Sequence, residues 1–234
     1  MNKKCAIMQP TFLPWAGYFN LIGEVDSFIF LSDADYQKSS WHNRNRILVN
    51  GSVAWITCPI QRMQLGSPIH SILLQDAVTG WREKLVRKIR QAYAKSPFKN
   101  NLDLIIPVLL NYEITLLSDL NTTLIKILCA EMNLRSQFYD SKDFPNDLGR
   151  SARLEFMVQA VGATEYVSPV GARSYLIEDG VFEESSVLLS FQEFTPRPYN
   201  QPPQGSFVGS LSIVDVICNI GLTNAKEYVS GQYI

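Results

Sequence analysis

At 234 residues the chain is long enough to bury a sizeable core, which excludes a peptide or a miniprotein that depends on covalent staples. Hydrophobic residues make up 46% and charged residues 18%, and 21 Lys and Arg against 22 Asp and Glu leave a net charge of −1, which excludes a general binder of nucleic acid or anionic membrane. Only two histidines, His42 and His70, are available to any chemistry that needs paired imidazoles.

Met1-Asn2-Lys3-Lys4 is followed by four apolar residues before Gln9-Pro10, too few for a signal-peptide core. Residues 4–8 instead suit a buried strand entering a loop. Phe19, Leu21, Ile22 and Val25 then recur at helical spacing, so a helix is expected over 17–25, with a second buried strand over 27–31. Strand, loop, helix, strand is the opening of a parallel α/β sheet, because a parallel crossover needs an intervening helix.

Two alternating runs, 46–49 and 53–58, flank Asn50-Gly51, a hairpin signal because both residues tolerate positive φ. Thr79 is a candidate cap for a helix carrying Trp81, Leu85, Val86, Ile89 and Tyr93, which Ser96-Pro97 ends. Two further helices are expected near 98–111 and 115–132. Beyond them come a strand near 136–139, a helix at 150–161, strands at 165–168 and 187–191, a Pro-rich loop at 196–205 and a helix near 212–220. The expected fold class is α/β, a Rossmann-like parallel sheet core with a β-hairpin, in a single domain over 1–234 with 79–132 as a helical insertion or subdomain. No stretch approaches 18 uninterrupted apolar residues, so no membrane span is expected. Cys5, Cys58, Cys129 and Cys218 are dispersed in apolar surroundings, which suits reduced, buried thiols in a cytoplasmic protein.

Three loops carry candidate chemistry. Gln9, Pro10, Thr11, Trp15, Gly17 and Tyr18 lie between the first strand and a helix, where open α/β sheets place ligands and free helix N–H groups accept phosphate. Gly17 permits close backbone approach, and Trp15 or Tyr18 is placed to stack on a base or sugar. The bland alternative has the prolines shaping a turn and Phe12 and Trp15 filling the core. After the second strand, Asp33 and Asp35 are candidates to bind Mg²⁺ or act as a base, His42 to move a proton, Trp41 to stack, Asn43 to orient a polar group, and Arg44 and Arg46 to hold phosphate. Here the alternative is a solvated loop leading into the hairpin. Ser168, Gly171, Arg173 and Tyr175 follow a later strand and form a second candidate anion or sugar site. Neither histidine has the neighbours of a metal site, and no Walker-type, GxGxxG, GxSxG or HExxH motif occurs.

The run Gln9-Pro10-x-Phe12-Leu13-Pro14-Trp15-x-Gly17-Tyr18-Phe19, with Ser40-Trp41-x-Asn43-Arg44-Asn45-Arg46-Ile47, resembles the WbqC-like protein family. Trp55-Ile56-Thr57-x-Pro59-Ile60, Ala163-Thr164-x-Tyr166-x-Ser168, Gly171-Ala172-Arg173-x-Tyr175-Leu176 and Leu211-Ser212-Ile213-Val214-Asp215 extend the likeness along almost the whole chain. Members occur in bacterial O-antigen and other surface-polysaccharide clusters, so the resemblance implies a cytoplasmic role in making or modifying an activated sugar. The layout is also similar to nucleotidylyltransferase-type folds, with Trp15 and Tyr18 standing where that superfamily has the two histidines of HxGH. A member of that superfamily makes an amide through an acyl-adenylate.

Together these features predict a nucleotide- or nucleotide-sugar-binding group transferase, acylating or aminoacylating an amino sugar, with ATP or a nucleotide and Mg²⁺ as candidate cofactors. The alternative is a noncatalytic sugar-binding or assembly protein of the same pathway. A nucleotide-linked sugar or other small molecule is the expected partner. A homodimer formed through the aromatic loops is a further option.

Overall fold

The computed structural model describes residues 2–77, 80–202 and 205–233. Strand β1 (Lys4–Met8) passes through the Pro-rich loop into helix α1 (Ala16–Gly23) and strand β2 (Ser27–Phe30). The hairpin β3 (Arg44–Val49) and β4 (Ser52–Thr57) follows, then helices α2 (Trp81–Ala92), α3 (Ile106–Leu109) and α4 (Leu117–Glu131). The chain continues through β5 (Gln137–Asp140), α5 (Arg150–Ala160), β6 (Glu165–Ser168), α6 (Arg173–Asp179), β7 (Leu188–Phe191) and α7 (Ile213–Val229).

Five strands form one sheet in the order β5-β2-β1-β6-β7, every neighbouring pair parallel. From β1 the chain builds outward through β2 to β5, then returns and adds β6 on the opposite side of β1. Connections therefore diverge between β1 and β6, which opens a crevice beyond their carboxyl ends, the usual ligand position in such sheets. Successive strand residues point to opposite faces. Ala6, Phe28 and Phe30 pack in the cluster that includes Leu21, Ile22, Leu124 and Ile217 from α1, α4 and α7. Cys5, Ile7 and Ile29 meet Leu154, Met157 and Val158 of α5 and Leu176 of α6. With helices on both faces, β2 and β6 are buried at every position; β2 is nearly apolar in sequence, whereas β6 buries Glu165 and Ser168 as well.

The hairpin turn has Asn50 at φ 50° and Gly51 at φ 78°, the mirror-image turn whose twist suits antiparallel strands, and it sets Arg46 opposite Trp55. Its first strand begins at Arg44, two residues before the expected start. The expected helix over 98–111 is instead a 3₁₀ segment, Lys99–Leu104, followed by the single turn of α3. Pro107 cannot donate to an earlier carbonyl, and two adjacent asparagines favour turns over helix, so a long α-helix is interrupted here. The final helix runs past 220 to Val229 but breaks at Gly221, whose φ of 81° and ψ of 169° are non-helical. A Cβ there would stand 3.0 Å from the Phe98 ring, so glycine is required by both the backbone and the packing. The expected Thr79 cap lies outside the described residues. Gly80, at φ 70°, precedes α2.

Two buried charges anchor the helical segment. Arg82, fully buried, forms a two-point ion pair with Asp76 and donates to the carbonyls of Leu109, Asn111 and Ile114. Asp215, at 0% exposure in α7, accepts from Tyr93 Oη at 3.0 Å, Tyr199 Oη at 2.7 Å and Gln201 Nε2 at 2.7 Å, tying the Pro-rich segment and α2 to the core. All four cysteine thiols are buried and unpaired, and burial pushes Cys5 up to about 12. Among the described residues no helix is long and apolar enough to cross a membrane.

Candidate functional site

The loop after β1 is held by donors from distant parts of the chain. Its two prolines offer carbonyls but no N–H groups, so its hydrogen bonds come from elsewhere. Asn121 of α4 donates to Pro10 O at 3.2 Å and to His42 O at 2.8 Å. Asn45 of β3 donates to Phe12 O and Leu13 O at 3.1 and 2.8 Å, and Ser212 Oγ also donates to Leu13 O at 2.8 Å. Ile213 N donates to Pro14 O, and Tyr18 Oη to Gln9 O at 3.1 Å. This clamp holds Leu13 at φ 42°, a conformation costing about 1 kcal/mol or more that persists only where the surroundings over-determine it.

Trp15, at the N-cap position of α1, folds its indole across Gly17, so that a Cβ on residue 17 would lie 2.2 Å from Trp15 Cζ2. Gly17 is thus needed for the indole's own approach. The Trp15 ring meets Phe194 edge-on at 5.6 Å, and Gln192, buried just past β7, donates to Gly17 O at 2.6 Å.

These residues wall a cleft of about 540 Å³ in the crevice between β1 and β6, with Gln9, Trp15, Gly17 and Tyr18 on one side and 169–172 and Tyr175 on the other. Five aromatic rings line it, namely Trp15, Tyr18, Tyr166, Tyr175 and Phe194. Gln9 and Gln192 add amides, and no charged side chain is present in the wall. Burial pushes the phenols of Tyr18, Tyr166 and Tyr175 up, so they remain protonated, with the Tyr18 proton given to Gln9 O. The cleft can therefore hold a neutral, hydroxyl-bearing ring by stacking and neutral hydrogen bonds.

A second cleft, of about 330 Å³, shares Met8, Trp15 and Tyr18 with the first and adds Thr11, Trp41, Asn45, Arg46 and Ser210. Arg46 supplies its charge. Its guanidinium lies 5.3 Å from the Trp41 ring centre and donates to Ser210 O at 3.3 Å, and among the described residues no carboxylate lies within 4 Å of it. Asn43 and Arg44 line a third cleft, which shares no lining residue with the first two.

The remaining candidates stand apart from these walls. Pro10 is buried beneath Asn121. Asp33 is clasped by Arg153 and by the Ser141 hydroxyl. Burial alone would raise its carboxyl, but those hydrogen bonds and the guanidinium charge outweigh it and hold the group below the usual carboxylate range. Asp35 bridges to Pro68, Ser168 ends β6 with its hydroxyl on Pro169 O, and Arg173 stacks 4.2 Å from the Phe191 ring centre. His42 is 2% exposed, and burial pulls its imidazole down to about 4, so it is neutral at pH 7. Its Nδ1 accepts from Gln37 N and its Nε2 donates to Gln9 Oε1 at 2.9 Å. That bond fixes which end of the Gln9 amide is occupied and leaves the NH₂ group to donate into the cleft. His42 thus touches the cleft wall only through the Gln9 amide.

Sequence reasoning missed Gln192, Phe194 and Tyr166 in the cleft wall and Asn121 and Ser212 in the clamp. Gln192 follows β7 directly, so the rule that singled out the other strand ends also reaches it. Asn121 is a fully buried asparagine on a largely apolar helix face, which is a signal of a bonded polar role.

A family model described as the WbqC-like protein family matches residues 9–227. The chain is 35% identical over 230 residues to Uncharacterized protein Rv1507c of Mycobacterium tuberculosis (strain ATCC 25618 / H37Rv), the match covering 97% of each chain. No solved structure matches.

Proposed function

The chain belongs to the WbqC-like protein family, and from that premise we propose that it binds a nucleotide-linked sugar in the paired clefts and serves group transfer to it in cytoplasmic surface-polysaccharide biosynthesis. One observation carries this reading: an uncharged, aromatic-walled cleft at the strand-order switch adjoins, across Trp15 and Tyr18, a cleft holding Arg46, which among the described residues has no carboxylate partner. A nucleotide-linked sugar has the same polarity, with neutral rings at its ends and a diphosphate between or beside them. The rings gain from aromatic faces, and the diphosphate from a guanidinium that makes two parallel hydrogen bonds. The Gln9 amide and the Tyr175 hydroxyl orient sugar hydroxyls.

The second reading, a noncatalytic sugar-binding protein of the same pathway, draws on a different observation. No ionised group lines the switch-point cleft, Asp33 is committed to Arg153, and His42 reaches the ligand only through Gln9. Isothermal titration with UDP-, GDP- and dTDP-linked hexoses tests the shared claim. Binding to at least one member, weakened about tenfold by Arg46→Gln, is expected from the loss of a charge-assisted contact. Failure of the whole panel, or affinity indifferent to Arg46→Gln, refutes it. Mass spectrometry of the bound sugar after incubation with ATP and acyl or amino-acid donors then separates the two readings, because only a transferase changes its mass.

A further inference from the structure

The hairpin concentrates positive charge in a chain whose net charge is −1. Arg44 and Arg46 lie two apart on β3 and so share one face of the ribbon. The indoles of Trp41 and Trp55 pair at 5.3 Å, Arg46 flanks Trp41, and Arg44 lies 4.2 Å over Trp55, which makes a continuous stack in the order Arg46, Trp41, Trp55, Arg44. Arg44 donates through Nη2 to Ser39 O, and its Nε, shielded from solvent, has no acceptor among the described residues.

At the Arg44 end of the stack is the third cleft, of about 540 Å³, lined by Tyr36, Asn43, Thr57 and Gln61 together with Lys38, Arg44 and Arg62. Three cations share this concavity and its wall contains no carboxylate. Among the described residues, none of the three has an acidic partner within 4 Å. Scattered lysines and arginines on a convex surface are ordinary solvated charge. Like charges gathered around one hollow repel each other and focus a positive potential into it, an arrangement that favours an anion.

We propose that this cleft is a second anion site, which takes the phosphate group of a phosphorylated ligand distinct from the one held at the β1/β6 crevice. Arg44 and Arg62 supply forked donors for phosphate oxygens and Lys38 a mobile point charge, with the Gln61 amide at the same wall, while the Tyr36 hydroxyl donates to Asn43 Oδ1 and Asn43 Nδ2 to Cys58 O, which fixes that side of the cleft. The site shares no lining residue with the two clefts assigned to the nucleotide-linked sugar, so the two assignments stand or fall separately. The stack joins them physically, with Arg46 at one end and Arg44 at the other. A protein that brings a phosphorylated second reactant up to an activated sugar needs such a pair of adjoining sites.

Inorganic pyrophosphate titrated calorimetrically into the full chain tests the proposal, with Lys38→Gln, Arg62→Gln and Arg46→Gln as variants. Lys38 and Arg62 are exposed and pack against nothing in the core, so their variants fold normally. The expected result is saturable pyrophosphate binding that weakens with added salt and falls about tenfold in both Lys38→Gln and Arg62→Gln. Nucleotide-sugar affinity stays unchanged in those two variants. No pyrophosphate binding at low ionic strength, or binding indifferent to Lys38→Gln and Arg62→Gln whatever Arg46→Gln does, overturns the assignment.

Discussion

Replacing Gly17 with Ala sets two opposed effects against each other. In a helix, Gly→Ala gains up to about 1 kcal/mol, and a scan based on propensity alone expects Gly17→Ala to stabilise α1. In the folded chain the new methyl would stand 2.2 Å from Trp15 Cζ2 and 2.4 Å from Cη2, closer than any real Cβ contact. The indole must then leave its place, at an overpacking cost of about 1–3 kcal/mol. It also gives up its edge contact with Phe194, worth about 0.5–1.5 kcal/mol. The clash wins, so Gly17→Ala is expected to destabilise by about 1–3 kcal/mol, a fall in Tm of about 2–12 °C for a chain of this length. Because Trp15 walls both adjoining clefts, nucleotide-sugar affinity falls with it. Urea denaturation of Gly17→Ala, Trp15→Ala and the double variant closes a thermodynamic cycle. With the indole removed the same alanine should become neutral or stabilising, so the sign of its effect reverses. A stabilised Gly17→Ala, or the same destabilisation with and without Trp15, would show that the indole does not occupy the space above residue 17.

The pH dependence of stability isolates His42. Its folded value of about 4 lies below the ordinary 6.5, so the unfolded chain takes up the proton first; the contribution is fully present above about pH 6.5 and is lost as pH falls toward 4. The loss amounts to about 3 kcal/mol over that window and should be absent from His42→Gln, with the difference between the two denaturation profiles cancelling every other titrating group. Arg82→Ala leaves the Asp76 carboxylate with Trp81 Nε1 as its remaining donor and strands three backbone carbonyls, and should cost about 3–5 kcal/mol by urea denaturation; a cost below 1 kcal/mol would contradict a buried ion pair at Arg82. Asp215→Ala leaves Tyr93, Tyr199 and Gln201 without their acceptor and should cost about 3 kcal/mol or more, whereas Asp215→Asn, which keeps one acceptor oxygen, should cost about half as much. Equal losses in the two Asp215 variants would mean that shape, not hydrogen bonding, fixes the Pro-rich segment.

The parts of the fold legible from sequence are those set by local pattern. Apolar runs mark β1 and β2 because both sheet faces are covered, and Asn50-Gly51 marks the hairpin because few other dipeptides accept two positive φ values. The segment after Pro97 misleads because its Leu and Ile spacing is helical while Pro107 and the two asparagines break the ladder. The loop after β1 is legible as a ligand position by its place at a strand end, but its neighbours are not. Asp33 meets Arg153 across 120 residues, Asn121 reaches Pro10 across 111 and Ser212 reaches Leu13 across 199, and no local period encodes such pairings. Distance along the chain also hides how the polar loop of residues 33–46 is divided. One aspartate goes to an ion pair, one histidine to the support of Gln9, and the two arginines to separate clefts.

Gly171 offers the most direct test of the ligand cleft. It lines the aromatic crevice, and a Cβ built on it meets no atom within 4 Å, so a larger side chain enters open space without disturbing the core. Calorimetric titration of Gly171→Leu with the nucleotide-linked hexose that the parent binds should show affinity reduced at least tenfold, with the thermal midpoint within about 2 °C of the parent. Unchanged affinity in a normally folded Gly171→Leu would place the ligand elsewhere and contradict the assignment of the β1/β6 crevice.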